Sequence, residues 1–229
     1  MHLDNYYSRD NDHIVFTRQQ ASDFAKNVAD DFNPIHNINA KRFCVPGDLL
    51  FSLALQHYGL SQHMYIQFSG MVTDATPLAF PDSDAAQLEI TDTTGKAYLS
   101  LEHSGDTSHN TEQINTFTHR YVQFSGQTFP HILVPLMADH QLMINPDRPL
   151  VIYESMSITL DSLAFETPEL VQQQAELDIK GKRGSAHIKF SVKNNGSNIG
   201  YGEKTMALSG LRPYDQDTVD TMVADYMAS

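Results

Sequence analysis

A short segment near the N-terminus carries side chains suited to acid–base chemistry, and it reads Asp30-Asp31-Phe32-Asn33-Pro34-Ile35-His36. An Asn-Pro step is stiff and forces a turn, so the carboxylate of Asp31 and the imidazole of His36 can project from its two sides into one cleft. Asn33 has both donors and acceptors and can brace such a turn. A carboxylate beside an imidazole supplies a general base and a general acid near neutral pH. The same residue types also occur in ordinary turns that end a helix.

Two predicted helices flank this segment. Thr17-Arg18-Gln19-Gln20 has the form of a capping box, and apolar residues follow at helical spacing, which predicts a helix over about 18–30. Asn33 precedes a proline and is therefore disfavoured in the helical region, so the helix ends before it. A second helix is predicted from Pro46-Gly47 to Tyr58, where a glycine follows. It is apolar almost all round, so we expect it to be buried at the centre of the fold.

The remaining patterns predict strands rather than helices. Apolar and polar residues alternate, or apolar and β-branched residues cluster, over about 64–68, 88–91, 97–102, 152–160, 186–192 and 199–208. Asn194-Asn195-Gly196 predicts a hairpin turn between the last two.

The two halves of the chain match when one is slid by 89 positions. Val45-Pro46 then falls on Val134-Pro135, and Leu88-Glu89-Ile90 falls on Leu177-Asp178-Ile179. This predicts a duplicated helix-plus-sheet unit, joined by the polar run 104–112. Two amphipathic hairpins of similar composition could also agree by chance.

A competing match aligns 65–70 with 121–126 at a different offset. It does not extend beyond those residues, so we interpret it as a coincidence.

Composition and charge limit the function classes. The chain of 229 residues has 28 acidic and 15 basic side chains, a net charge of −13, which disfavours phosphate backbones and anionic lipid. We therefore expect that the protein binds neither nucleic acid nor a membrane. Cys44 is the only cysteine, which excludes an intrachain disulfide and favours a cytoplasmic location. The first residues lack a secretory signal, and no apolar run approaches the roughly 20 residues that span a bilayer.

The motif D-x-N-P-I-H in Asp31 to His36, preceded by a helix with Phe24-Ala25 and followed by a buried helix, resembles the signature of the MaoC-like (R)-specific enoyl-CoA hydratases. In these hotdog-fold proteins an antiparallel sheet wraps around one long apolar helix. The resemblance covers roughly residues 14–102. Together with the duplication, it implies an α+β double hotdog. The units would be 1–110 with the motif, 111–210 without it, and an acidic tail helix over 211–229.

The resemblance also implies roles for individual residues. Asp31 and His36 would form the catalytic pair, and Asn33 would hold their loop. Asp31 would take a proton from a water that adds across the C2–C3 double bond of an acyl thioester, and His36 would orient the water and protonate C2. Backbone amides around Gly47 and Asp48 would bind the thioester oxygen, because helix N-termini favour anions. No metal and no cofactor is expected beyond the CoA portion of the substrate.

Three features depart from the family pattern. Asp30 stands where the family usually has glycine, and its carboxylate would raise the pKa of Asp31. Asp48 at the helix start would oppose negative charge on the thioester oxygen, unless it turns outward. The connection from His36 to Gly47 is short, at 11 positions, which implies a different substrate or an open cleft.

A basic hairpin tip is a second candidate binding site, formed by Lys180, Lys182 and Arg183 on an otherwise acidic molecule. It could bind a phosphate of coenzyme A or the acidic surface of an acyl carrier protein. A solvated turn is the simpler interpretation.

The last segment places apolar residues on one helical face. They are Val219, Met222, Val223, Tyr226 and Met227. The simple interpretation is a helix that docks onto the body of the protein, and the alternative is a tail that binds a partner.

The sequence therefore predicts an enoyl-thioester hydratase, or the reverse dehydratase, that acts on acyl-CoA or an acyl-carrier protein thioester. Two alternatives stay open. One is an acyl-CoA thioesterase, which uses a carboxylate and needs no paired histidine. The other is a non-catalytic module that binds acyl thioesters. The protein would be a monomer, because two fused units equal the common hotdog dimer, or a homodimer through exposed sheet edges.

Overall fold

A computed structural model describes residues 2–228; Met1 and Ser229, which begin the first predicted unit and end the predicted tail, lie outside the described residues. Helices occupy both halves of the chain. They are α1 (Arg18–Asn27), α2 (Gly47–Tyr58), α3 (Thr111–Gly126), α4 (Val134–Asp139) and α5 (Gln216–Ala228). A 3-10 turn spans Pro34–His36, and a π-helical turn over Phe129–Leu133 precedes α4. No helix within residues 2–228 is long and apolar enough to cross a membrane.

Most of the strands form one continuous antiparallel sheet. The strands are β1 (Ser8–Asp10), β2 (His13–Val15), β3 (Leu60–Phe68), β4 (Leu78–Ala79), β5 (Gln87–Asp92), β6 (Ala97–Ser108), β7 (Leu142–Met143), β8 (Val151–Leu160), β9 (Pro168–Lys180), β10 (Arg183–Asn194), β11 (Ser197–Ser209) and β12 (Arg212–Pro213). The large sheet has ten strands in the order β1-β2-β4-β5-β6-β3-β8-β11-β10-β9, and β7 pairs with β12 separately.

Helix α2 lies at the centre of the first half because nearly every side of it is apolar. Leu49, Leu50, Phe51, Leu53 and Leu55 are all at most 2% exposed. They pack in one core with inward-facing residues of β3, β5 and β6. Burying each leucine side chain contributes about 2 kcal/mol to the free energy of folding. The strands that surround the helix provide this burial. The helix ends at Gly59, whose φ of +84° is readily adopted only by glycine.

The second half repeats this arrangement around α3 and joins the first through β3 and β8. These two strands pair antiparallel, with Met64 opposite Ile158 and Ile66 opposite Met156. The rings of Phe51 in α2 and Tyr121 in α3 lie 4.6 Å apart, so the two long helices pack side by side. The fold is therefore an α+β double hotdog, as predicted.

Several local predictions are confirmed. The capping box is present, because the Thr17 side chain accepts from the Gln20 amide and the Gln20 side chain accepts from the Thr17 amide. The predicted turn at Asn195 and Gly196 has the positive φ angles of a hairpin, 50° and 79°. The strands predicted around it are β10 and β11.

The ungapped alignment of the two halves is wrong for the hairpins. In the first half β3 is followed across the sheet by β6 and β5, and in the second half β8 is followed by β11 and β10. The structural counterpart of the β5–β6 hairpin is therefore β10–β11. The offset of 89 instead placed Leu88-Glu89-Ile90 on Leu177-Asp178-Ile179, which belong to β9. The Val134-Pro135 match begins only the short α4, of six residues.

Helix α3 was missed by the sequence analysis. The polar run 104–112, expected to be a junction, contains the end of β6 and the start of α3. The competing match of 65–70 with 121–126 is a coincidence, since one copy is largely strand and the other is helix.

Candidate active site

The Asp31 loop follows α1 and turns sharply at two points. Asp30 adopts a left-handed φ of 56°, and the Asp31 amide donates to the Ala25 carbonyl at 2.8 Å. Asn33 then caps the 3-10 turn by accepting from the Ile35 amide at 3.3 Å. The loop is thus held at both ends by hydrogen bonds.

Asn33 also connects the loop to the second half of the molecule. Its side-chain amide donates to the Val151 carbonyl in β8 at 3.2 Å. The backbone amide of Asn33 donates to Asp31 Oδ1 at 2.9 Å, which orients the carboxylate. Asn33 therefore fixes both the turn and the carboxylate that precedes it.

Asp31 and His36 face each other across a short gap. His36 Nε2 lies 3.5 Å from Asp31 Oδ2, and the two side chains are only 7% and 20% exposed respectively. His36 Nδ1 lies 2.7 Å from the Cys44 carbonyl, which can only accept, so Nδ1 carries a proton. Nε2 is then the nitrogen that gains or loses a proton beside Asp31.

The charged forms of this pair stabilise each other. Burial by itself raises the pKa of Asp31, but the hydrogen bond and charge of His36 and the Asn33 amide outweigh it, so the pKa is lowered. Burial by itself lowers the pKa of His36, but Asp31 and the Cys44 carbonyl raise it overall. Both shifts therefore favour the charged forms, a carboxylate and an imidazolium.

Asp30 does not act as the sequence suggested. Its side chain is exposed, and the pKa of Asp31 is lowered rather than raised. The prediction that Asp30 raises the pKa of Asp31 is therefore wrong.

The pair opens onto a cavity of about 480 Å³ that both halves of the chain enclose. Apolar side chains form much of its wall. They include Phe32, Ile35, Val45, Leu50, Phe68, Val72, Phe129, Leu133, Ile144, Val151, Ile152, Met206 and Met222. The loop with Pro146 and Pro149 and helix α5 contribute further to the wall, so the short connection after His36 is supplemented by later parts of the chain.

Helix α5 reaches the Asp31 loop through Tyr226. The Tyr226 hydroxyl donates to the Gly126 carbonyl at 2.8 Å and lies 3.2 Å from Asp31 Oδ1. Val219 and Tyr226 are buried, whereas Met227, expected on the same buried face, is 65% exposed. The last turn of the helix therefore rotates Met227 away from the body.

The N-terminus of α2 lines the cavity at Gly47 and Asp48. The amides at the first positions of a helix have no carbonyl partner within it and can donate to a ligand. Gly47 is packed closely, because an added Cβ would lie 3.2 Å from Tyr153 Cβ. Position 47 therefore has little space for a side chain.

Of the two orientations that the sequence left open for the Asp48 side chain, the structure has the inward one. It is 4% exposed and its Oδ2 accepts from the Ser125 hydroxyl at 2.6 Å. Its Oδ1 has no hydrogen-bond partner within residues 2–228. Burial raises the pKa of Asp48 to about 6, while Lys204 and Ser125 act in the opposite direction.

Lys204 in β11 is a buried lysine that the sequence analysis missed. It is 1% exposed, and its amine donates to Ser125 Oγ at 2.6 Å and to the Ser125 carbonyl at 3.2 Å. The amine also lies 4.5 Å from the centre of the Tyr153 ring, a favourable cation–π distance. The sequence pattern could have indicated that Lys204 is buried, because it alternates in phase with Met206 and Leu208 on the buried face of its strand.

The other predicted binding residues lie elsewhere. Lys180, Lys182 and Arg183 are exposed at the β9–β10 turn and do not line the cavity. Cys44 does line it, but burial raises the pKa of its thiol to about 12, so it is protonated at neutral pH. No group of three or more metal-ligating side chains occurs in the described part of the chain.

Solved structures similar to this chain include a tesB protein, an acyl-CoA thioesterase and a protein described as a dehydratase. The tesB protein of Mycobacterium avium subsp. paratuberculosis is 8% identical, with 72% of this chain and 87% of that chain covered and a TM-score of 0.44. The acyl-CoA thioesterase II TesB2 of Mycobacterium marinum is 8% identical, with 76% and 92% covered and a TM-score of 0.40. A protein described as a MaoC-like dehydratase is 10% identical, with 90% and 98% covered and a TM-score of 0.43.

The sequence matches no protein among those with curated descriptions. The family model described as "Protein of unknown function (DUF3581)" matches residues 1–217, and the chain therefore belongs to this family.

Proposed function

We propose that the protein hydrates an enoyl thioester, or dehydrates a 3-hydroxyacyl thioester, carried by CoA or an acyl-carrier protein. One observation carries the proposal. Asp31 Oδ2 and His36 Nε2 face each other 3.5 Å apart at the wall of a largely apolar cavity. A water or hydroxyl group in contact with both atoms would meet a base and an acid at once.

The protonation states of the pair suit this reaction. Asp31 is the carboxylate that takes a proton from water as the water oxygen bonds to C3. His36, as the imidazolium, gives its Nε2 proton to C2. The proton on Asp31 then passes to His36 across the gap that separates them, which restores both groups. General acid and base groups of this kind each contribute about 10²–10⁴-fold to a rate.

The thioester oxygen gains negative charge as water adds to C3. The amides of Gly47 and Asp48 would bind it, and the position of both residues in the cavity wall at the N-terminus of α2 supports this role. One such donor is typically worth about 3 kcal/mol of the barrier. The apolar wall would bury the acyl chain and exclude bulk water.

The test follows hydration of crotonyl-CoA and longer enoyl-CoAs by the loss of absorbance of the conjugated thioester. Asp31→Asn removes the base and His36→Ala removes the acid, so each should lower kcat/KM by about 10²–10⁴-fold. Asp30→Asn is the matched control, since it changes an adjacent carboxylate that is exposed. It should keep the parent rate.

The alternatives predict different outcomes in the same protein. A thioesterase that uses Asp31 would release free thiol from saturated acyl-CoA and would not hydrate crotonyl-CoA. A binding module would bind acyl-CoA saturably without turnover. A parent protein with no hydration activity, or one whose activity survives both substitutions, contradicts the proposal.

A further inference from the structure

Three buried polar side chains in the cavity wall have no part in the hydration step. They are Asp48, Ser125 and Lys204, and they come from α2, α3 and β11. We propose that Ser125 is a nucleophile that accepts the acyl group of the bound thioester, with Asp48 as its base and Lys204 as the cation beside its oxygen. The cavity would then carry out acyl transfer through an acyl-serine. This inference rests on the proposed thioester substrate but not on hydration.

The hydroxyl of Ser125 lies between an acid and a base. Its Oγ donates to Asp48 Oδ2 at 2.6 Å and accepts from Lys204 Nζ at 2.6 Å. Both hydrogen bonds involve an ionisable group and are short, as charge-assisted bonds are. A hydroxyl oxygen has two acceptor sites, and Lys204 occupies one of them. In the proposed reaction the other lone pair attacks the substrate carbon.

The arrangement does more than neutralise buried charge. Within residues 2–228 the carboxylate and the ammonium form no direct ion pair, and the serine hydroxyl lies between them. Lys204 is held in place by additional bonds to the Ser125 carbonyl at 3.2 Å and to Thr128 Oγ1 at 3.4 Å. The helix dipole makes the C-terminal end of α3 partly negative, which favours a cation there. The Lys204 ammonium in turn offsets the repulsion between this end of the helix and a negative charge that develops on Ser125 Oγ.

Asp48 retains capacity to act as a base. Its Oδ1 is buried without a hydrogen-bond partner in the described chain, so the carboxylate is incompletely satisfied. Burial raises its pKa to about 6, which leaves it largely ionised at neutral pH yet more basic than an ordinary aspartate. The thiol of Cys44 is the competing nucleophile in the cavity and is held protonated.

Acyl transfer through Ser125 requires only the thioester, water and the side chains of Ser125 and Asp48 as reactants. The Ser125 proton moves to Asp48 as Oγ bonds to the thioester carbon, and the carbonyl electron pair moves to oxygen. The C–S bond then breaks, and the leaving thiolate takes the proton from Asp48. Water attacks the acyl-serine, gives its proton to Asp48, and the Oγ–C bond breaks. The proton returns to Ser125, and the free acid leaves.

The test uses the full-length protein and two reagents. A saturated acyl-CoA, decanoyl-CoA, reports acylation of a thioester substrate, and a fluorophosphonate reports a nucleophilic serine without requiring thioester binding. Adducts are measured by intact mass after rapid quenching and are located by peptide fragmentation. We expect both adducts on Ser125 of the parent protein.

Variants separate the proposed roles. Ser125→Ala should abolish both adducts, and Asp48→Asn and Lys204→Met should each slow labelling by about 10²-fold. Thr118→Val is the matched control, because it removes a buried hydroxyl from the same helix that has no partner in the described chain. It should be labelled like the parent. Should Ser125→Ala fail to fold, Ser125→Cys should carry the acyl group as a thioester that neutral hydroxylamine releases.

The hydration assay distinguishes this inference from the proposed function. Asp31→Asn should lose hydration but keep the Ser125 adducts. Labelling of Ser125 in a protein that hydrates no enoyl-CoA would support acyl transfer alone. An adduct on Cys44 or on any residue other than Ser125, or no adduct with either reagent, overturns the inference.

Discussion

Burial determines the protonation of Asp48. The pKa of this carboxyl is raised to about 6 from an ordinary value of 3.8. The folded protein therefore holds this proton more tightly than the unfolded chain does. Stability must then fall as pH rises from about 4 to about 6, because the unfolded state releases the proton first. Lys204, Ser125 and His36 reduce this penalty but do not remove it, and Asp31 adds to it.

Asp48→Asn should remove this pH dependence. The free energy of unfolding of the variant should increase relative to that of the parent by about 2–3 kcal/mol between pH 4 and pH 7. Urea unfolding at a series of pH values measures this difference. The titrations of Asp31 and His36 are present in both proteins and largely cancel. A difference that stays constant with pH would contradict the burial argument.

The end of α3 positions the Asp31 loop. Gly126 packs directly on the loop, since an added Cβ would overlap the Ala29 carbonyl and approach Asp30. The Gly126 carbonyl also accepts from the Tyr226 hydroxyl of α5. Two helices thus meet the loop that carries Asp31 at one residue.

Gly126→Ala should therefore separate α3 from the loop. We expect a loss of about 1–3 kcal/mol in unfolding free energy from overpacking. The kcat/KM for hydration of crotonyl-CoA should fall by more than the loss of folded protein explains. The reason is that the distance between Asp31 and His36 changes when the loop moves. Arg120→Ala, at an exposed position of the same helix, is the control and should change neither. Unaltered kcat/KM in a folded Gly126→Ala variant would show that the loop does not depend on this contact.

The molecule as a whole is built around one sheet that continues from the first unit into the second. One apolar core contains residues of both halves, such as Leu55 and Ile66 of the first and Ile158 and Phe190 of the second. The two units share this core and the β3–β8 pairing. We therefore expect them to unfold in a single cooperative transition.

Ile158→Ala tests this coupling, because Ile158 is 1% exposed at the seam opposite Met64. The substitution should cost about 2–5 kcal/mol. Amide hydrogen exchange governed by global unfolding should then accelerate equally in α2 and in β10. Tyr201→Ala, at a side chain that is 60% exposed, is the control and should leave exchange nearly unchanged. Faster exchange confined to β10 would show that the units unfold separately.

Local patterns in the sequence were sufficient for many elements and for one part of the site. The capping box at Thr17, the apolar α2 with its terminal glycine, and the hairpin at Asn195 each depend on residues within a few positions of one another. Asp31 and His36 could be paired for the same reason, since a rigid turn alone separates them. Their side-chain directions are set largely by local backbone geometry.

Only the tertiary structure brought Asp48, Ser125 and Lys204 together. Ser125 is 77 positions from Asp48 and 79 from Lys204, and no periodicity relates them. Their contact depends on how α2 and α3 pack and on which strand follows β8 across the sheet, and the internal alignment matched the hairpins of the two halves incorrectly. Side-chain spacing specifies neighbours along one element, whereas contacts between elements are selected by the free energy of packing the whole chain.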